Sequence, residues 1–223
     1  MSIRRLTRFI AVGATAVALA AICGTIGTPA ASAQDMPRGG GSNARSAPST
    51  GGAAGKVDSV STSGFSIATP AGQKVTVETA ASTLYRKGTT STSASAITRG
   101  DSVLVLGTVN GSTITASQVI VQPVGASASA TSSTAAVVPF QRGAPSASKQ
   151  VGQIPANYRQ GEGTIVSGAD ANKATEAALT AYPGGIVNRV VVLSDGEYEV
   201  HNIGVNWPHH IFVSHDFNVA GAN

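Results

Sequence analysis

Between residues 55 and 122, short runs of β-branched residues alternate with polar residues in steps of two. Turn signals separate the runs, and Asn110-Gly111 is the strongest hairpin signal among them. Because successive side chains of a strand point to opposite faces, this alternation predicts half-buried strands. Five or six such strands with no amphipathic helix predict a small, OB-like all-β barrel, since closure leaves no long strand edge exposed. The Ser/Thr/Ala-rich insert from Lys87 to Thr98 is predicted to be a loop.

The hydrophobic pattern changes its period after residue 161. Asp170 occupies the position of a helix N-cap, and small apolar residues then recur at helical spacing as far as Ala181. Tyr182-Pro-Gly-Gly ends this helix. Strands are predicted at 163–167, 186–193, 197–203 and 210–219, with turns at 194–196 and 205–208. These elements predict an α+β domain in which one helix covers an antiparallel sheet.

Two segments lack the apolar content that folding requires. Residues 34–54 and 123–160 are rich in Gly, Ser, Ala and Pro, a composition typical of flexible, disordered linkers. The chain is therefore predicted to contain two small domains joined by a flexible linker. They are the barrel at 55–122 and the α+β domain at 161–223.

Residues 1–33 have the order of a secretory signal peptide. Arg4, Arg5 and Arg8 form a basic start, an apolar run follows, and an Ala-x-Ala site precedes Gln34. Cleavage at that site predicts a secreted protein that is extracellular or associated with the cell wall. The alternative is an uncleaved segment that serves as a membrane anchor.

Cleavage changes what the charge and the cysteine content imply. It removes three of the 15 Lys and Arg and none of the 11 Asp and Glu, which leaves 12 basic and 11 acidic residues and a net charge of +1. A nearly neutral chain gives no argument for a nucleic-acid partner. The only cysteine, Cys23, is removed as well, so the mature chain has no disulfide and is held together by packing. We expect a monomer.

The predicted barrel resembles the secreted domain family of unknown function DUF5666. The residues that carry the resemblance are Gly55-Lys-Val-Asp-Ser-Val, Phe65-Ser-Ile, Val75-Thr-Val, Thr83 and Arg99-Gly-Asp-Ser-Val-Leu-Val-Leu-Gly107. Matching positions cover nearly all of 55–122. The family has no assigned activity, so the resemblance implies a fold and no function.

The C-terminal domain resembles a PepSY domain. The matching residues are Ala174, Ala177, Ala178 and Leu179, then Pro183-Gly-Gly185, Val187 to Val191, and Gly196-x-Tyr198-x-Val200. The resemblance implies a secreted or membrane-tethered module that inhibits or regulates a peptidase. After Val200 the chain departs from the family pattern, because Asn206-Trp-Pro-His-His stands where Asp/Gly-rich turns are usual. No inhibitory residue is therefore carried over.

All four histidines and the only tryptophan lie between residues 201 and 215. If the last two predicted strands pair as a hairpin, Glu199 and His201 share a face near a histidine of the facing strand. Imidazole and carboxylate together are a ligand set for Zn²⁺, Cu²⁺ or Ni²⁺. The candidate ligands of a divalent metal are His201, His209, His215 and Glu199.

The same segment also predicts a surface for a protein partner, such as a peptidase or an envelope protein. An exposed tryptophan beside histidines is typical of a recognition surface. The candidate partner-binding residues are Trp207, His209, His210 and Phe212. The structural alternative is an indole that folds back on the sheet, with the histidines as half-buried hydrogen-bonding residues.

Catalysis finds little support in this segment. Ser214, His215 and Asp216 are triad residue types, but neighbours in one strand point to opposite faces and cannot form a relay. Glu197 and Glu199 are too close to hold a substrate between them. The sequence therefore predicts a non-enzymatic binding or regulatory protein without a cofactor. A divalent-metal-binding protein and a purely structural envelope component are the alternatives.

Overall fold

A five-stranded barrel forms the first part of the chain that the structure, a computed structural model, describes. The described residues are 48–122, 137–144 and 149–223. The strands of this part are β1 (Ser49–Ser61), β2 (Gly64–Ala68), β3 (Lys74–Glu78), β4 (Leu84–Lys87), β5 (Thr90–Thr92), β6 (Ser102–Asn110) and β7 (Thr113–Val121). The barrel closes in the order β1–β2–β3–β7–β6–β1, in which only the β3–β7 pair is parallel.

The period-two alternation produces the barrel interior. In β3, Val75 and Val77 are buried while Lys74, Thr76 and Glu78 are exposed. Valine and isoleucine supply most of the interior, with Phe65 as its one phenylalanine. The prediction of a small barrel is confirmed.

Residues 87–98 differ from the predicted loop. Strands β4 and β5 pair as a hairpin, with Tyr85 opposite Thr92, and a short 3-10 turn follows at Ala94–Ala96. Gly88 supplies the positive φ of 58° that the tight connection between the two strands requires.

The C-terminal part combines one helix with an extension of the same sheet. Its elements are β8 (Val138–Pro139), β9 (Val151–Gly152), β10 (Thr164–Val166), α1 (Ala169–Ala181), β11 (Ile186–Val192), β12 (Tyr198–Ile203), β13 (Val205–Trp207), β14 (His210–Val213) and β15 (Val219–Ala222). The sheet continues from β1 in the order β11–β12–β14–β15–β9. The expected helix on a β-rich domain is confirmed for the described residues. In that part of the chain, no helix has the length and apolar character needed to cross a membrane.

Three elements differ from the sequence prediction. The predicted turn at 205–208 contains strand β13, which pairs with β8. The helix begins at Ala169 after Gly168, whose φ of 83° suits glycine, so Asp170 lies within the first turn and pairs with Lys173 instead of capping the helix. The last predicted strand is interrupted, because Ser214 starts a turn. The Phe217 N–H donates to the Ser214 carbonyl and Phe217 has a positive φ of 60°.

Strand β1 belongs to both parts of the molecule. Gly52 lies between Leu106 of β6 and Val187 of β11, so barrel and C-terminal sheet are joined by backbone pairing. Helix α1 packs on a shared apolar cluster that includes Leu104 and Leu106 from the barrel's outer surface.

The predicted linkers are partly structured where the structure describes them. The first one, 34–54, runs into β1, and the second, 123–160, contains β8 and β9. The rest of the first linker, most of the stretch before β8, and the predicted signal peptide lie outside the described residues. Two domains separated by a flexible linker therefore stay a prediction.

Candidate functional site

The C-terminal sheet has an apolar face and a polar face. On the first, Val190, Val200 and Ile211 pack under helix α1. The residues that alternate with them point to the other face, which buries Arg189 and Glu199. Charged residues are rarely buried without partners, so the polar face is the place to look for a site.

Strand pairing brings Glu199, His201 and His210 together on the polar face. His201 lies directly opposite His210 and also opposite Arg189, and their imidazole centres are 5.3 Å apart. Glu199 lies opposite Phe212, two residues before His201 in β12, and so points to the same face as His201. The hairpin expected from sequence does place Glu199 and His201 beside a histidine of the facing strand, and that histidine is His210.

A segment that composition predicts to be linker covers this face. Residues 149–160, which we call the covering segment, contain β9, which pairs with β15 at the sheet edge. Tyr158 packs edge-on against Phe212 with 4.7 Å between ring centres, and its hydroxyl lies 3.1 Å from His210 Nδ1. At the other end of the segment, the Trp207 indole N–H donates to the Lys149 carbonyl oxygen over 2.6 Å.

Beneath the covering segment lies a buried pair of opposite charges. Arg189 is 6% exposed and Glu199 is 1% exposed, and Arg189 Nε and Glu199 Oε2 have no hydrogen-bond partner among the described residues. Burial lowers the pKa of Arg189, and the Glu199 charge opposes that effect. Burial, followed by the Glu199 charge, raises the pKa of Tyr158. The phenol is therefore a neutral hydrogen-bonding group at ordinary pH.

Three histidines direct Nδ1 to an oxygen acceptor. The Nδ1 atoms of His210, His201 and His209 contact Glu199 Oε1 (2.6 Å), Asn188 Oδ1 (2.6 Å) and the Asn202 carbonyl oxygen (3.3 Å). Carboxylate and carbonyl oxygens only accept hydrogen bonds, so each Nδ1 carries the proton. In a neutral imidazole this leaves Nε2 with a free lone pair.

The same three histidines line one pocket of about 730 Å³. The other lining residues are Lys149, Gln150, Gln160 and Asn223. We call this cavity the histidine pocket. Burial is the main cause that lowers the pKa of His201 from 6.5 to about 3, and the charge on Arg189 adds to it. The His201 imidazole is therefore neutral at physiological pH.

The structure separates the predicted partner-binding residues. Trp207 and Phe212 are both 0% exposed, and Trp207 packs edge-on against Tyr182 at 5.5 Å between ring centres. Neither can touch a partner, which agrees with the structural alternative for the indole. His210 is 8% exposed and reaches the histidine pocket, and His209 is exposed.

The predicted metal ligands are not brought together as one set. His215 lies in the turn after β14, with its side chain 77% exposed and its Nε2 3.2 Å from Asp216 Oδ2. Glu199 lies under His210 and accepts its Nδ1 proton. Only His201 and His209 of the predicted set share the pocket, where His210 joins them. In the described ranges, no three His, Cys, Asp or Glu residues form a group that could hold a metal ion.

Sequence reasoning missed three residues of the site. Tyr158 lies in a stretch that composition assigns to a linker, although an aromatic residue in such a stretch is a signal for packing. Asn188 and Arg189 lie in a strand that is otherwise built from Ile and Val. A charged residue in a buried strand indicates a polar face, so Arg189 was a signal available in the sequence. Asn188 reaches His201 at the register shift between Val187 and Arg189, which the sequence does not show.

Comparison with known proteins finds no counterpart: no family model, curated protein or solved structure matches the chain. The resemblances to DUF5666 and PepSY domains therefore stay predictions.

Proposed function

We propose that the chain is an exported, non-enzymatic binding protein that acts on another protein through the rim of the histidine pocket. The observation that carries this proposal is the pocket itself, a cavity of about 730 Å³ between the covering segment and the end of the C-terminal sheet. Its lining consists of imidazoles, amides and one lysine, which offers a partner hydrogen bonds at a concave surface.

The local geometry supports a role other than catalysis. The Ser214 hydroxyl accepts a hydrogen bond from the Asn218 N–H, and His215 faces Asp216 in an exposed turn. Asp195 accepts from the Glu197 N–H within the preceding turn. These triad residue types stabilise turns and form no relay from nucleophile to base.

Export and the class of partner rest on the sequence. The predicted signal peptide at 1–33 implies a secreted protein that is extracellular or associated with the cell wall, and the PepSY resemblance implies a peptidase as the partner. An architecture of one helix on an antiparallel sheet supports that resemblance. A structural envelope component is the competing proposal, and it requires no ligand in the pocket.

The test is capture of a partner from the culture supernatant and the cell envelope with the tagged chain in the presence of EDTA. His209→Ala and Gln160→Ala alter the pocket rim without touching the core, and His215→Ala is the matched control outside the pocket. We expect both rim variants to weaken binding of the purified partner at least fivefold and the control to bind as the wild type does. If the partner is a peptidase, its turnover changes when the chain is added.

Equal binding by all four proteins would reject the pocket rim as the binding surface. Failure to capture any partner would favour the structural component. Trp207 and Phe212 are unsuitable for this test, because substitution of either fully buried ring changes folding instead of a contact surface.

A further inference from the structure

We propose that the histidine pocket binds a divalent transition-metal ion through the Nε2 atoms of His201 and His210. This inference concerns the inner wall of the pocket and does not depend on the protein partner. The ion is of the class that imidazole nitrogen prefers, Zn²⁺ or Cu²⁺.

The first argument is the way in which the imidazoles are held. His210 Nδ1 donates to the Glu199 carboxylate and His201 Nδ1 donates to Asn188 Oδ1, each over 2.6 Å. Histidines that ligate metals almost always donate the other ring N–H to a carboxylate, carbonyl or water. The acceptor fixes the tautomer and the ring orientation, and it makes Nε2 a better ligand.

The second argument is the separation of the two rings. An ion about 2.0–2.1 Å from each Nε2, in tetrahedral coordination, places the two ring centres roughly 5 Å apart. The observed distance between the ring centres of His201 and His210 is 5.3 Å. Water would fill the coordination positions that the two imidazoles leave open.

The third argument is the charge of the surroundings. Arg189 and Glu199 are buried on this face with formal charges that cancel. The one charged side chain among the described residues that line the pocket belongs to Lys149, which holds its Nζ over the Trp207 ring, 4.3 Å from the ring centre. A neutral imidazole with a bare Nε2 cannot donate to an anion, so His201 does not suit phosphate or sulfate. His201 and His210 line one cavity, and two bare Nε2 atoms there suit a cation that accepts electron pairs. Hard cations such as Mg²⁺ prefer oxygen ligands and are the negative control.

The experiment is calorimetric titration of the purified full chain, stripped with EDTA and then dialysed, with Zn²⁺, Cu²⁺ and Mg²⁺. We expect one equivalent of Zn²⁺ or Cu²⁺ to bind and Mg²⁺ to give no saturable heat. His201→Ala and His210→Ala should each weaken binding at least tenfold, while His215→Ala, which removes an exposed histidine outside the pocket, leaves it unchanged.

A second measurement keeps the inference testable if a pocket variant fails to fold. In the wild-type chain, Zn²⁺ should shift the NMR resonances of Nε2 in His201 and His210 and leave those of His215 in place. Absence of saturable binding, full affinity in both variants, or shifts at His215 alone would overturn the proposal. Because partner capture is done in EDTA, a failure of metal binding and a failure of partner binding are observed separately.

Discussion

The barrel and the C-terminal sheet bury their interiors in different ways. The barrel interior is almost entirely Val, Ile and Ala, distributed over five strands. The C-terminal sheet relies on a few large side chains, such as Trp207 and Phe212, and on the polar cluster of Arg189, Glu199 and His210. A uniform apolar core tolerates small changes at many positions. In a core that depends on a few large side chains and a polar network, substitution of any one of those residues destabilises the fold more.

Trp207→Ala should have the largest effect on stability. The indole is fully buried against Tyr182 and its N–H donates to the Lys149 carbonyl oxygen, so its loss leaves a cavity and removes one contact to the covering segment. We expect a loss of about 3–5 kcal/mol in the free energy of unfolding, measured with urea. His215→Ala is the control and should change little. A loss below about 1 kcal/mol would show that the large buried side chains do not supply most of the stability of the C-terminal sheet.

Glu199→Ala should have the next largest effect and lower the free energy of unfolding by about 3 kcal/mol, because it leaves the Arg189 guanidinium buried without its counter-charge. It also removes the acceptor for His210 Nδ1. The matched change in the barrel is Ile114→Val, at a residue that is 0% exposed, and it should cost about 1 kcal/mol. Urea unfolding of the two variants measures both losses of unfolding free energy. Equal losses would contradict the expectation that the polar cluster is more sensitive than the barrel interior.

Acid should weaken the protein through His201. Because the folded-state pKa of about 3 lies below the usual 6.5, protons bind the unfolded chain first as the pH falls. The His201 contribution to stability is therefore complete above pH 6.5 and is lost between pH 6.5 and about 3. His201→Gln should flatten the dependence of unfolding free energy on pH in this window, measured in a chelator. An unchanged slope in the variant would contradict the assignment to His201.

The smallest effect should come from a surface ion pair of the barrel. Lys74 Nζ lies 3.0 Å from Asp58 Oδ2, and the hydrogen bond and charge of Lys74 lower the pKa of Asp58. Both side chains are exposed, so water screens their attraction. Lys74→Ala should leave the urea midpoint unchanged within error, in contrast to Glu199→Ala. A clear shift of the midpoint would mean that charge pairs matter equally in both parts.

The sequence predicted the elements that local patterns encode. Alternation gave the barrel strands, and helical spacing placed α1 close to its observed limits. Composition misled where a few specific contacts order a polar segment, since residues 149–160 are held by Trp207, His210 and the edge of β15. The histidine cluster was visible, but its membership depends on strand register and on the turn at Ser214. That turn removes His215 from the pocket, and only the folded chain shows it.

Because β1 pairs with strands from both parts of the chain, it gains its last partner late in synthesis. Its residues 51–53 lie between β6 and β11, and a Cβ on Gly51 would come within 2.0 Å of the Val187 carbonyl oxygen. Ribosomes complete all barrel strands before β11 exists, so one edge of this glycine stretch stays open in the nascent chain. An open edge pairs readily with another chain. A product that stops short of Ile186 keeps that edge open permanently, which makes premature termination a route to self-association.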